Sequence, residues 1–377
     1  MTTGQLLGIH PRDGVRILRP QDGRRFNLSL VLQSLFDTPY LTRADLARQT
    51  GLTKVTISDL VAELINEGFV EETGVTSGVR PGKPATSLAV REDSCDIIAL
   101  DLSAQDILRA GVYSLRGEKR AESSLALEGR VAEEAVDVVL ELIQKTIPLA
   151  THRILGIGIG SPGIVDDAGT VLAAPNLNWR EVNLQEIVTD RFGFPAVVQN
   201  DANAAVMAEK VFAEASPDLV RVQISRGVGA GVLLKGSLVL GSGGAAGEIG
   251  HLVIEHKGLE CSCGKQGCLE TWISVPSLRL RLESDEAHSG TIMAEAGRRL
   301  GMALAPIVAA LDLQHIIVGG PLDLIDETFI NACQSLIIER TYSEFRRELS
   351  VKPSSLGHEA VLKGAVSLVL RATLGVS

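Results

Sequence analysis

From residue 27 to residue 37 apolar side chains recur every three to four positions. Leu28, Val31, Leu32, Leu35 and Phe36 thus share one helical face. Thr42 then offers an N-cap for a short helix over 43–49, with Asp45 at its third position and Gly51 beyond its end. Thr53 caps a further helix reaching Asn66, in which Val55, Leu60, Val61 and Leu64 are expected to face inward. Two helices joined by a tight glycine turn have the layout of a helix-turn-helix, whose second helix lies in the major groove. Residues 69–72 and 86–90 read as two strands around a tip, 76–84, that carries Arg80 and Lys83. After Ser94 the pattern changes to apolar strands alternating with amphipathic helices. Strands are expected at 96–102, 109–114, 154–160 and 196–199, and helices at 130–149 and 201–213. A second round follows, with strands at 219–224, 229–235 and 315–318 and helices between 275 and 311. Two such rounds imply an α/β architecture of two lobes with a cleft between them.

Charge divides the chain in the same place. Residues 1–91 hold 11 Lys and Arg against 9 Asp and Glu, whereas the remainder holds 25 against 37. Any contact with DNA therefore belongs to the N-terminal part. There Arg43, Thr53, Lys54, Thr56 and Ser58, with Asp59 beside them, offer polar groups to bases and phosphates, and Arg80 and Lys83 make the hairpin tip a basic wing. A three-helix module that binds no DNA is the alternative. Aromatics are only 3% of the chain, too few for a surface that stacks single-stranded bases.

Three of the five cysteines, Cys261, Cys263 and Cys268, fall within eight residues, and His251 lies ten residues upstream. One imidazole and three thiols form the ligand set of a closed, structural Zn2+ site, one per chain. Glu248 and Glu270 bracket it. A Cys261–Cys268 disulfide is the alternative in an exported protein. Residues 1–23, however, lack a signal-peptide apolar run, being interrupted by Arg12, Arg16 and Arg19. No stretch reaches the roughly 18 apolar residues of a spanning helix. A cytoplasmic location without membrane contact is expected, where thiols stay reduced and favour metal. Cys95 and Cys333 read as core thiols.

Glycine-rich turns at 161–163, 226–231 and 319–320 follow strands and could cradle phosphate, although each alone is explained as a tight turn. The run 199–203 places Asn200 and Asp201 at a strand-to-helix junction, where ligands of open α/β folds collect. Asp201 by itself reads equally as a helix cap.

Six ordered motifs follow the winged helix: GIGIGSPGIVD at 156–166, APNLNW at 174–179, NDAN at 200–203, GVGAG at 227–231, AAGEIGH at 245–251 and CSCGKQGCLE at 261–270. In these the chain resembles the repressor branch of the ROK family (repressors, open reading frames, sugar kinases). The resemblance implies an N-terminal winged helix-turn-helix at 24–90 and then a two-lobed, actin-like (ribonuclease-H-like) sugar-kinase fold. Residues 94–204 with 357–377 would form the first lobe and 205–356 the second, zinc-bearing lobe. It further implies that Asn200, Asp201, Glu248, His251 and Glu270 bind sugar hydroxyls, with Asn176 and Gly163 on the other wall. His251 would then serve both metal and sugar. In family kinases the residue matching Asp201 is the general base.

One departure matters. Kinases of the family open with Asp-x-Gly-Gly-Thr, whereas this chain has Asp101-Leu102-Ser103-Ala104-Gln105. The second phosphate turn also differs, with Ser225 and Arg226 before Gly227. Phosphoryl transfer depends on positioning and charge stabilisation, so loss of the glycine cradle predicts a sensor and not a catalyst. The expected function is a sugar-responsive, DNA-binding transcriptional repressor acting as a homodimer or homotetramer on double-stranded operator DNA, with a sugar or sugar phosphate as effector. The rival expectations are an ATP-dependent sugar kinase that carries a DNA-binding domain, and a regulator whose effector is a sugar-transport protein.

Overall fold

A computed structural model of the chain describes residues 20–75, 86–104, 106–341 and 349–376. The N-terminal module contains α1 (Pro20–Asp37), α2 (Arg43–Thr50) and α3 (Lys54–Asn66) and a small antiparallel sheet, in the order Leu41–Thr42, Thr86–Val90, Val70–Val75. Thr42 and Asp45 form a reciprocal capping box on α2, and Gly51 ends it in the left-handed region at φ 73°. α1 begins seven residues earlier than the apolar period suggests, and Arg24 in this added part pairs with Glu63 of α3. The wing tip, with Arg80 and Lys83, lies outside the described residues, as does Gln105.

The inward face of α3 requires a correction. Val55 is 72% exposed, and Ile57 is buried in its place beside Leu60, Val61 and Leu64. Ile57, Leu60, Val61 and Leu64 are spaced i, i+3, i+4, i+7 and form a stripe that leaves Val55 outside it.

The first lobe is built on a five-stranded sheet in the order Ala196–Asn200, Ile154–Ser161, Asp96–Asp101, Ile107–Tyr113, Lys119–Ala126. Side chains alternate along a strand, and the GIGIG run uses that alternation. Ile157 and Ile159 enter a core with α4 (Ala132–Thr146) and α5 (Leu184–Phe192). Gly156, Gly158 and Gly160 face the C-terminal helix Ala360–Leu374. A Cβ on Gly158 would stand 2.1 Å from the Ala365 carbonyl oxygen. Gly158→Ala is therefore expected to cost about 1–3 kcal/mol or more of stability, read from the urea midpoint.

The second lobe's sheet runs Ser237–Leu238, Val228–Leu234, Leu219–Ile224, His315–Gly319, Ser350–Pro353, and the helices Ser289–Leu311 and Glu327–Arg340 pack beside it. α6 (Asp201–Phe212) runs through the expected lobe boundary at 204/205. It packs against the C-terminal helix on one side and the Val228–Leu234 strand on the other. It is buried from Ala202 through Glu209. The charge this encloses is matched, since Glu209 Oε1 accepts from Arg221 Nε at 3.0 Å and from Ser354 Oγ at 2.5 Å. Breaking so buried a pair from one side leaves an uncompensated charge.

The winged module shares a continuous apolar core with the first lobe. Leu32, Leu35 and Phe69 join Ile97, Tyr113, Val366 and Leu370 in one cluster. Arg116 of the lobe seals the seam. Its guanidinium donates to the Phe36 carbonyl at 2.7 Å and to the Leu35 carbonyl at 3.3 Å, satisfying the last turn of α1, and it stacks on the Phe36 ring. Among the described residues no helix is long and apolar enough to cross a membrane.

Candidate functional site

A cleft of about 650 Å³ opens between the lobes at the N-terminus of α6. Gly163, Asn176, Asn200, Asp201, Glu248, His251 and Glu270 all line it, so the seven residues named from the sequence converge on one space. They do not stand there on equal terms. The Asn200 amide is already engaged, because its Oδ1 accepts from the Asn203 amide at 3.0 Å and its Nδ2 donates to the Gly163 carbonyl at 2.8 Å. It caps α6 and ties that helix to the turn at Gly163, where a Cβ would meet the Ala173 carbonyl oxygen at 2.0 Å.

Asp201 is the first residue of α6, and one of its oxygens accepts from the Ala202 amide at 2.9 Å. The surrounding walls desolvate its carboxylate, and nearby Asp101 and Glu248 repel its charge. Together these push its pKa up to about 7. Glu248 is also raised, first by the cleft walls and then by Glu270, against the opposing pull of His251. Glu270 sits on the second glycine turn and accepts from the Val228 amide at 3.0 Å. A carboxylate thus engages an amide of the glycine turn.

The first phosphate position is closed in another way. Asp101 is buried and paired with Arg109 at 2.5 Å, and its other oxygen accepts from the Ser103 amide at 2.9 Å and Ser103 Oγ at 2.6 Å. Arg109 also donates to the His358 carbonyl at 2.9 Å. Both Asp101 oxygens are thus engaged within the chain. Ser103, Gln223 and Arg226 also line the cleft and were not among the expected site residues. The two altered turns, at 101–105 and around Arg226, were the sequence signals near Ser103 and Arg226, and Gln223 had none.

Behind the cleft wall lies a group capable of holding a metal ion. Ligand atoms of His251, Cys261, Cys263 and Cys268 all fall within 4.8 Å of one another. His251 Nδ1 is 3.6 Å from Cys261 Sγ, and Cys263 Sγ is 3.7 Å from Cys268 Sγ. Tetrahedral zinc with bonds of about 2.3 Å to sulfur and 2.0 Å to nitrogen requires separations of roughly 3.8 and 3.5 Å, so the donor set fits. Short backbone bridges, Val253 to Cys268 and Glu260 to Gln266, hold the loop, and Gly267 permits its close return past Glu255. Burial and the neighbouring thiols push Cys268 up to about 12, a crowding that a bound cation would reverse. His251 thus meets the thiols through Nδ1 and is itself part of the cleft lining.

In the winged module the candidate DNA contacts divide similarly. Lys54 is exposed at the start of α3. Thr53 Oγ1 caps α3 by accepting from the Thr56 amide at 3.2 Å, and lies 2.9 Å from Thr56 Oγ1. Ser58 Oγ donates to the Lys54 carbonyl at 2.9 Å. Arg43 pairs with Glu72 of the wing at 2.9 Å.

These features define a two-lobed α/β domain with an interlobe ligand cleft and a metal-capable loop, joined to a winged helix-turn-helix. The chain belongs to the ROK family, whose pattern matches residues 97–372, and a winged helix-turn-helix DNA-binding pattern matches residues 29–71. It is 30% identical over 384 residues to the xylose repressor of Caldicellulosiruptor bescii, covering 92% of this chain and 96% of that protein. Among solved structures it superposes with a TM-score of 0.81 on a ROK family transcriptional regulator described as a homologue of the Escherichia coli MLC protein. That match has 24% identity and covers 93% of this chain and 97% of the other. A ROK family glucokinase from Streptomyces griseus, in complex with glucose and AMPPNP, matches with a TM-score of 0.63 at 27% identity. It covers 72% of this chain and 98% of the kinase. The kinase match accounts for the two lobes, and the regulator match extends over the winged module as well.

Proposed function

We propose that the protein is a sugar-responsive transcriptional repressor, whose cleft binds a sugar or sugar derivative without phosphorylating it. The observation that carries this reading is the asymmetry of the cleft. Asp201, Glu248 and His251 line it with polar groups suited to a polyhydroxylated ligand, while Asp101 is paired with Arg109 and Ser103, and Glu270 accepts from the Val228 amide. The curated relative above is itself named a repressor.

Zinc, bound by His251, Cys261, Cys263 and Cys268, would hold the loop and fix the His251 ring for the sugar. The route from cleft to DNA is α6, which begins at Asp201 and packs along the C-terminal helix. That helix contributes Val366 and Leu370 to the core shared with α1 and α3. A ligand that prefers one lobe arrangement shifts this packing, and only such differential affinity can alter DNA binding. A homodimer or homotetramer would present paired winged modules to a double-stranded operator, with a sugar-transport protein as a further class of partner.

The reading is tested by a thermal-shift screen over sugars and sugar phosphates, followed by ADP release with any hit. A ligand at one hundred times its Kd stabilises by about 2.7 kcal/mol. One specific ligand and no turnover are expected; steady ATP-dependent ADP release would establish the kinase instead. On the DNA side, Lys54→Ala is expected to weaken binding of all duplexes alike. It should also lower the slope of log affinity against log salt by about one, as measured by fluorescence anisotropy.

A further inference from the structure

Val55 breaks the division of α3 into a buried apolar face and an exposed polar one. It is the second residue of the helix and is 72% exposed. The core face is complete without it, since Ile57, Leu60, Val61 and Leu64 are each at most 1% exposed. An isolated surface valine needs no explanation by itself, so its place on the helix and the state of its neighbours matter more. The hydroxyls around it are committed locally, Thr53 and Thr56 to each other and to the cap, and Ser58 to the Lys54 carbonyl. What the first turn of α3 projects outward is therefore the Lys54 ammonium and the two methyl groups of Val55.

The N-terminal turn of a recognition helix is the part that reaches base edges. An isopropyl group makes no hydrogen bond, and the apolar feature of a base edge in the major groove is the C5 methyl of thymine. We propose that Val55 reads one thymine through its methyl group, with Lys54 beside it holding a backbone phosphate. Specificity at that base pair then rests on an apolar contact and not on the short polar side chains of the same turn. This rests on the DNA-binding reading above.

The full chain is used to enrich a duplex from a random pool, and each thymine of the enriched site is replaced singly by deoxyuridine, which removes only the methyl. One position per recognition helix is expected to lose about fourfold in affinity, the worth of one buried methyl. V55A is expected to bind the thymine and deoxyuridine forms equally at that position, with an unchanged melting temperature because the side chain lies outside the core. Identical deoxyuridine profiles for V55A and the native chain overturn the proposal while leaving DNA binding intact, and so does a site in which no thymine methyl matters. Failure to enrich any sequence overturns the DNA-binding reading and this proposal with it.

Discussion

Cys268→Ser is expected to abolish stoichiometric zinc binding and to weaken effector binding more than tenfold, although Cys268 is fully buried and does not line the cleft. Its sulfur stands 3.7 Å from Cys263 and 3.6 Å from the His251 carbonyl oxygen, so it would join the proposed metal centre to the backbone of the residue that does line the cleft. A serine hydroxyl is a poor zinc ligand, and the remaining three donors do not close a tetrahedron. Without the ion, the Cys261 and Cys263 thiols lose the charge that gathers them, and the His251 ring loses the bond that fixes its Nδ1. Changes in the shell around a metal-bound histidine typically shift affinity 10- to 100-fold, and the proposed site predicts the same leverage in reverse, from metal to sugar. Metal content by mass spectrometry and effector affinity by calorimetry should fall together. A metal-free variant with unchanged affinity would detach the loop from the cleft.

Asp201→Asn is expected to stabilise the protein at pH 8 while removing its response to effector. The carboxyl titrates at about 7 in the folded chain against 3.8 unfolded, through burial first and then through Asp101 and Glu248. Between about pH 4 and pH 7 the native state holds a proton that the unfolded chain has released. The stability this group contributes is therefore complete below pH 4 and is lost as the pH rises through 7. An asparagine never carries the charge. Its gain is near zero at pH 4 and reaches about 2–4 kcal/mol at pH 8, less than the full shift because Asp201 keeps some contact with solvent. In the proposed sugar site the amide offers one acceptor oxygen and no charge in place of a carboxylate, so effector affinity should drop tenfold or more. Urea melts at the two pH values, paired with calorimetry, check both halves. A stability change independent of pH would show that this carboxylate is not strained by its surroundings.

Much of this architecture is legible in the chain because the signals are local. The capping box at Thr42 and Asp45, the end of α2 at Gly51 and the four clustered metal ligands each lie within a few residues or one loop. The convergence of seven cleft residues was legible only through the resemblance, since they come from five separate segments that the topology brings together. The failures have physical causes. Val55 and Ile57 are two residues apart and nearly opposite on a helix, and an apolar period does not decide between them; packing into the shared core does. Asn200 lines the cleft as expected, and the sequence did not show that it also caps α6 and donates to the Gly163 carbonyl. The sequence also did not show the pairing of Arg43 with Glu72, 29 residues away. The burial of Glu209 was equally hidden, because its partner Arg221 lies on a separate element, the Leu219–Ile224 strand.

The central claim is that occupation of the cleft is read out at the operator and not by phosphoryl transfer. Its most direct test is a fluorescence-anisotropy titration of the zinc-loaded full chain onto its enriched operator, at fixed salt, with and without the sugar found by thermal shift. The native chain is expected to change operator affinity at least tenfold when that sugar saturates it, with no ADP formed in the presence of ATP, and D201N is expected not to respond. An operator affinity that stays the same with the cleft saturated would contradict the account.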